Sequence, residues 1–172
     1  MSINTKEDEF GKYLSNITSI NRKVLRYLFD LELKENKNLK KETEYIKINP
    51  DPDNNYFFFQ GKIDFRSLTK LLEKYNTKDK LCLLNNIKND NDSNQKDQKQ
   101  ILKYYLKGSV ELRNDIWHNN IDYNNPNKYY NIINNIKDAY VQFKNNPLLN
   151  KSDLFENCIK YLCISLEFFK SK

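Results

Sequence analysis

One histidine occurs in the 172 residues, His118, and it closes the run Arg113-Asn114-Asp115-Ile116-Trp117-His118. Histidine is the side chain whose unperturbed pKa lets it give or take a proton near neutral pH. Arg113 is one of four arginines in the chain and stands five positions earlier. A guanidinium holds a phosphate through two parallel hydrogen bonds. Phosphate held by arginine beside a proton-transferring histidine suits acid–base chemistry at a phosphodiester. The spacing adds a constraint. Five residues of ideal α-helix turn through about 500°, so Arg113 and His118 point about 140° apart, whereas Asn114 and His118 share a face. One chain can bring Arg113 and His118 to one substrate only if the helix ends or unwinds between them. Otherwise two copies must complete one site, and a two-fold dimer would set two such runs face to face.

The neighbours carry weaker signals. Lys103 and Lys107 lie on the same expected helix and could steer RNA, although a charged helix face is more simply a solvated one. Trp117 can stack on a base, but packing in the core or at a dimer interface is the plainer role for an indole. Glu111 and Asp115 read as partners of lysines on a solvated face, and Tyr104 and Tyr105 as packing residues. The bland account of the pair itself is a histidine at a helix end and an arginine in a surface ion pair.

Composition narrows the function classes. Three glycines in the whole chain exclude the glycine-rich loops that cradle phosphates in dinucleotide-binding and P-loop proteins. Scarce glycine and proline also argue against an all-β fold. Ten phenylalanines, twelve tyrosines and one tryptophan are enough to build a core despite the low mean hydropathy. The net charge of +6 is compatible with a polyanionic partner. The lysines are scattered among many asparagines, however, which reads as AT-rich coding composition more than as a selected basic surface. Cys82, Cys158 and Cys163 have no zinc-like spacing and the chain has one histidine, so a zinc site is not expected, nor is any other metal or cofactor. Cys158 and Cys163 read as core residues of a helix. Reduced thiols, a polar N-terminus and no long apolar run predict a cytoplasmic protein without membrane association.

The elements that must position the run are helical. Phe10, Leu14, Ile17, Ile20/Val24, Leu28 and Leu31 predict a long amphipathic helix over 6–36. The pattern breaks over 39–62, where Asn49-Pro50-Asp51-Pro52-Asp53 is turn chemistry. Tyr56-Phe57-Phe58-Phe59 there reads as a buried extended segment, a hairpin strand or a plug for the core, the plug being preferred over a ligand-stacking role. A second helix is predicted over 64–75, capped by Asp64 or Ser67, and a short third over 78–87 on Leu81, Leu83 and Leu84. The fourth runs over 97–118, with Gly108 as a weak point. Asn125-Pro126 starts the fifth, which ends near Asn145, and the sixth covers 152–169. The expectation is a single all-α domain over 1–172: a helical bundle of about five or six helices, with an irregular insertion near residues 40–62.

Arg113, Asn114 and His118, with four residues between arginine and histidine, resemble the motif of the HEPN (higher eukaryotes and prokaryotes nucleotide-binding) family. Its members are small all-α domains with an arginine, four to six residues, then a histidine, and often a polar residue directly after the arginine. The resemblance covers the all-helical layout and the late position of the motif, but not residues 49–60. Some toxin members have a tyrosine two residues after the histidine, where this chain has Asn120. The resemblance implies a HEPN-like bundle and a metal-independent ribonuclease that acts on single-stranded RNA as a homodimer with a composite active site. It also implies a setting in toxin–antitoxin, CRISPR-associated or other anti-phage defence, with an antitoxin or defence protein as a possible partner. Carried onto this chain, Arg113 would bind the scissile phosphate, His118 would be the general acid or base, and Asn114 would orient one of them. The alternative reading is a non-catalytic helical module that binds RNA, a nucleotide or a protein.

Overall fold

The computed structural model describes residues 5–50, 53, 56–84 and 92–170, with side chains from residue 6 and, in the fourth helix, from residue 98. Six helices and one small hairpin follow in the order α1 (Thr5–Glu35), α2 (Lys37–Ile48), β1 (Phe58–Phe59), β2 (Lys62–Ile63), α3 (Phe65–Thr77), α4 (Asp92–Trp117), α5 (Pro126–Lys144) and α6 (Ser152–Lys170). The chain is an all-α bundle. No helix among the described residues is long and apolar enough to cross a membrane.

The stripes and caps behave as their chemistry dictates. On α1, Phe10, Leu14, Ile17, Val24 and Leu28 are buried. Glu7 and Asp8 in its first turn and Lys34 in its last complement the helix dipole. Asp64 caps α3 by accepting the Ser67 amide at 2.8 Å, and Asn125 caps α5 with proline directly after it. Gly108 does not break α4. It is where α5 approaches closely: a Cβ on Gly108 would meet Ile132 Cγ2 at 3.4 Å.

Two stretches differ from the expectation. Within the supposed irregular insertion, residues 37–48 form α2, because Asn36 supplies an N-cap by accepting the Leu39 amide at 3.1 Å. Only Leu39 and Ile46 of this helix are buried, too few to show as a stripe, and Glu42 ties it to α3 by pairing with Lys74 and accepting the Tyr75 hydroxyl. After it the aromatic run enters a two-residue hairpin whose turn, Gln60-Gly61, has φ of 50° and 80°, the positive pair a type I′ turn needs. Tyr56 and Phe58 pack against the core while Phe57 and Phe59 are exposed, so the run is the hairpin strand among the expected alternatives, with only alternate residues turned inward. The second difference is the expected helix over 78–87, which is absent from the part described. Residues 78–84 form turns, and the amides of Cys82, Leu83 and Leu84 donate to the carboxylate of Glu32 at 2.9, 2.9 and 3.1 Å. Those donors are held by a side chain rather than a helix.

Helix α1 packs against α2, α3, α4 and α6, α4 also against α3 and α5, and α5 against α6. The centre is aromatic, with Tyr105, Tyr140, Phe143 and Phe155 in tilted and edge-on contacts. Asn21 of α1 is a buried polar hub in this apolar setting. Its amide nitrogen donates to Ser109 Oγ at 2.7 Å, and its oxygen accepts the hydroxyls of Tyr105 and Tyr140 at 2.7 and 2.8 Å. Three helices are thereby tied at one point. Asn21→Ala strands two tyrosine hydroxyls, so urea denaturation should show a loss of about 3 kcal/mol. Adding Tyr140→Phe should recover part of that loss, because one stranded hydroxyl is then removed.

Candidate functional site

The C-terminal turns of α4 carry the Arg113–His118 run. Leu112 is buried and fixes the rotation of the helix. The helix does not open between Arg113 and His118: the His118 amide donates to the Asn114 carbonyl at 3.0 Å. It stops immediately afterwards. Asn119 takes a left-handed φ of 53°, its amide donates to Ile116 at 3.2 Å, and the Asn120 amide reaches back to Asp115 at 2.8 Å. This is a Schellman closure with asparagine in the position that glycine usually fills. The expected helix end exists, but it follows the histidine.

Arg113 and His118 therefore leave one rigid helix on different flanks, as the 3.6-residue period requires. Arg113 is half-buried and lies over the Trp117 ring at 4.7 Å. Its Nη1 makes a long 3.4 Å contact to Asn114 Oδ1, and its buried Nε has no acceptor among the described residues. Burial, then repulsion by Arg22 and Arg66 offset in part by Asp64, lowers the Arg113 pKa from its usual value. His118 is exposed at the helix C-cap. It shares the outer face of α4 with Asn114, Lys107 and Lys103, which precede it by four, eleven and fifteen positions.

Helix α4 is anchored to α5 through its acidic residues. Lys128 lies 2.8 Å from Asp115 and 3.5 Å from Glu111, and the Tyr129 hydroxyl donates to Asp115 at 2.7 Å. Burial first, with Asp115 adding to it, pushes Tyr129 up to about 12. The lysine-partner reading of Glu111 and Asp115 thus describes their contacts. Arg113, by contrast, makes no ion pair among the described residues. Trp117 is 66% exposed and so is not a core residue. Tyr105 is fully buried while Tyr104 is half-exposed, and Cys163 is exposed rather than internal.

On the Arg113 side of α4, a groove of about 710 Å³ opens against α1, with Arg22, Arg26, Tyr27, Phe65 and Ile116 among its lining residues. No protein-family model matches the chain, and searches of curated proteins and of solved structures find no significant match. Sequence reasoning passed over Arg22, Arg26 and Arg66. A signal was present: Arg22 and Arg26 are four apart and share a helix face, and they are half of all the arginine in the chain. No three His, Cys, Asp or Glu side chains gather closely enough to hold a metal ion among the described residues.

Proposed function

We propose that the protein is an endoribonuclease that cleaves single-stranded RNA by 2′-hydroxyl attack, at a site completed by two copies of the chain. The observation that carries this reading is the continuity of α4. It gives each copy a phosphate-binding guanidinium on one flank and an exposed imidazole on the other. Arg113 of one copy neutralises the scissile phosphate, and His118 of the second copy takes the 2′-hydroxyl proton. The 2′-oxygen bonds to phosphorus, the phosphorus–5′-oxygen bond breaks, and a protonated imidazole returns a proton to the departing oxygen. The products are a 2′,3′-cyclic phosphate and a 5′-hydroxyl. Asn114 sits beside Arg113 and one turn before His118, where it can orient either group. Lys107 and Lys103 extend the His118 face and would meet the strand beyond the cleavage point, and Trp117 presents an open ring for a base. These steps require no metal, and the HEPN resemblance implies the same chemistry and a setting in defence systems.

The second reading, a non-catalytic RNA-binding module, draws on the divergence of Arg113 from His118 within one copy. One experiment decides between them. Wild-type protein with single-stranded RNA in excess chelator should cleave the RNA and leave DNA of the same sequence intact. Arg113→Ala and His118→Ala should each be inactive. Mixing the two inactive variants should restore about a quarter of the wild-type rate, since half the dimers are mixed and each holds one intact arginine–histidine pair. Equal cleavage by wild type and both variants would sink the ribonuclease reading, and a mixture that stays inactive would sink the composite site.

A further inference from the structure

The chain has twenty-five lysines spread over its length and four arginines, and the arginines are not spread. Arg22 and Arg26 of α1 line the groove together with Phe65 of α3 and Ile116 of α4. Arg66 follows Phe65 directly, and Arg113 stands one turn before Ile116 on α4. The three helices that carry them pack against one another. Two of the four arginines thus line the groove, and Arg22 and Arg66 both lie near enough to Arg113 to repel its charge. None of them is ion-paired to a carboxylate among the described residues, although Asp30 stands in the groove and Asp64 near it. Gathering like charges without partners costs free energy unless an anion offsets it. The buried, unpartnered Nε of Arg113 carries a further cost that an incoming acceptor would remove.

We propose that this groove is a binding track for the sugar–phosphate backbone of a single-stranded RNA. Its shape favours a strand over a compact anion. The groove-lining residues of α1 extend from Ser15 to Asp30, about 22 Å of helix at 1.5 Å per residue. Arg22 and Arg26 lie one turn apart along it. Arginine rather than lysine suits the task, because its planar fork meets phosphate oxygens in pairs. Aromatic rings stand at the track's borders. The half-buried Tyr27 lines it, and beyond the lining the exposed Trp117 ring already carries Arg113 on one face; Phe65 belongs to the core floor beneath it. Cationic side chains that follow the backbone beside rings that receive bases are the recurring arrangement for single-stranded nucleic acid. The track deepens the ribonuclease reading by naming where its substrate lies on the Arg113 side, but binding there does not depend on cleavage.

The test measures binding by fluorescence anisotropy with a short labelled single-stranded RNA, in the His118→Ala background so that the probe survives. Arg22→Ala with Arg26→Ala should weaken binding by about tenfold for each arginine. The slope of log affinity against log salt should fall by about 1.4, the value for two phosphate contacts on a single strand. Arg22→Lys with Arg26→Lys should keep the salt slope and lose part of the affinity, which separates lost contacts from a damaged fold. Lys151→Ala with Lys160→Ala removes the same charge from α6 and its approach, and should change little. Inorganic phosphate or a nucleoside monophosphate should compete only weakly. Unchanged binding in the double-alanine variant, an equal loss in the α6 control, or full competition by the mononucleotide overturns the track. Cleavage assays read the other question: a wild type that binds RNA through these arginines and never cuts it retains the track and refutes the ribonuclease.

Discussion

His118→Ala is expected to lower RNA cleavage by about 10²–10⁴-fold, the range that a positioned acid–base group supplies, while leaving the melting temperature unchanged. The fold has little stake in this imidazole. It is exposed at the C-cap of α4, and the helix is closed by backbone hydrogen bonds through Asn119 and Asn120. A drop in rate with intact stability is the signature of a chemical role and not of a capping one. Release of the cyclic phosphate from RNA, followed against thermal denaturation of the same preparations, gives both readings. A His118→Ala protein that cleaves at the wild-type rate removes His118 from the mechanism. Asn114→Ala should be milder than either, because asparagine only positions its neighbours.

Glu32→Ala is expected to cost about 3–5 kcal/mol, because it leaves several buried donors without an acceptor and each such donor costs about 1–3 kcal/mol before relaxation. Glu32 is completely buried. Its two oxygens accept three successive amides, those of residues 82–84, and the side-chain nitrogen of Asn36 at 2.9 Å. Truncation leaves four donors facing a cavity with no acceptor. Asn36 is at once the N-cap of α2 and a donor to the Lys80 carbonyl at 2.8 Å, so the damage reaches α2 and the 78–84 turns together. Urea denaturation with and without the substitution measures it. A change below about 1 kcal/mol, the net worth of one ordinary hydrogen bond, would show that water takes the carboxylate's place. Glu32→Gln should fall between, since it keeps one acceptor oxygen.

The same residue marks where sequence reasoning stops. Leu81, Leu83 and Leu84 look like the stripe of a short helix, and Leu83 and Leu84 are indeed buried. What the pattern lacks is the carboxylate some fifty positions away that claims the amides. Helix α2 was missed for the opposite reason: it has a cap and a sequence able to form a helix, but only Leu39 and Ile46 to bury. The helices with full stripes, α1, α3, α5 and α6, were legible because burial repeats every turn and Asp64, Asn125 and Pro126 mark their starts. At the site, the angular relation of Arg113, Asn114 and His118 followed from helical period alone, and the structure keeps it. The arginine groove was not legible. Arg22, Arg66 and Arg113 are separated by dozens of residues, and only the packing of α1, α3 and α4 makes them neighbours.

The unbroken α4 also governs how rate depends on amount. On the proposed two-copy mechanism, a rod that holds its two reactive groups on separate flanks leaves an isolated chain without a complete site at any substrate level. Below the dissociation constant of the dimer, turnover then rises with the square of protein concentration, and above it the dependence becomes linear. A twofold dilution in the first regime should cut cleavage about fourfold. Under that proposal abundance itself would be the switch: a sparse chain would stay silent on RNA, and a modest rise in copy number would turn it on.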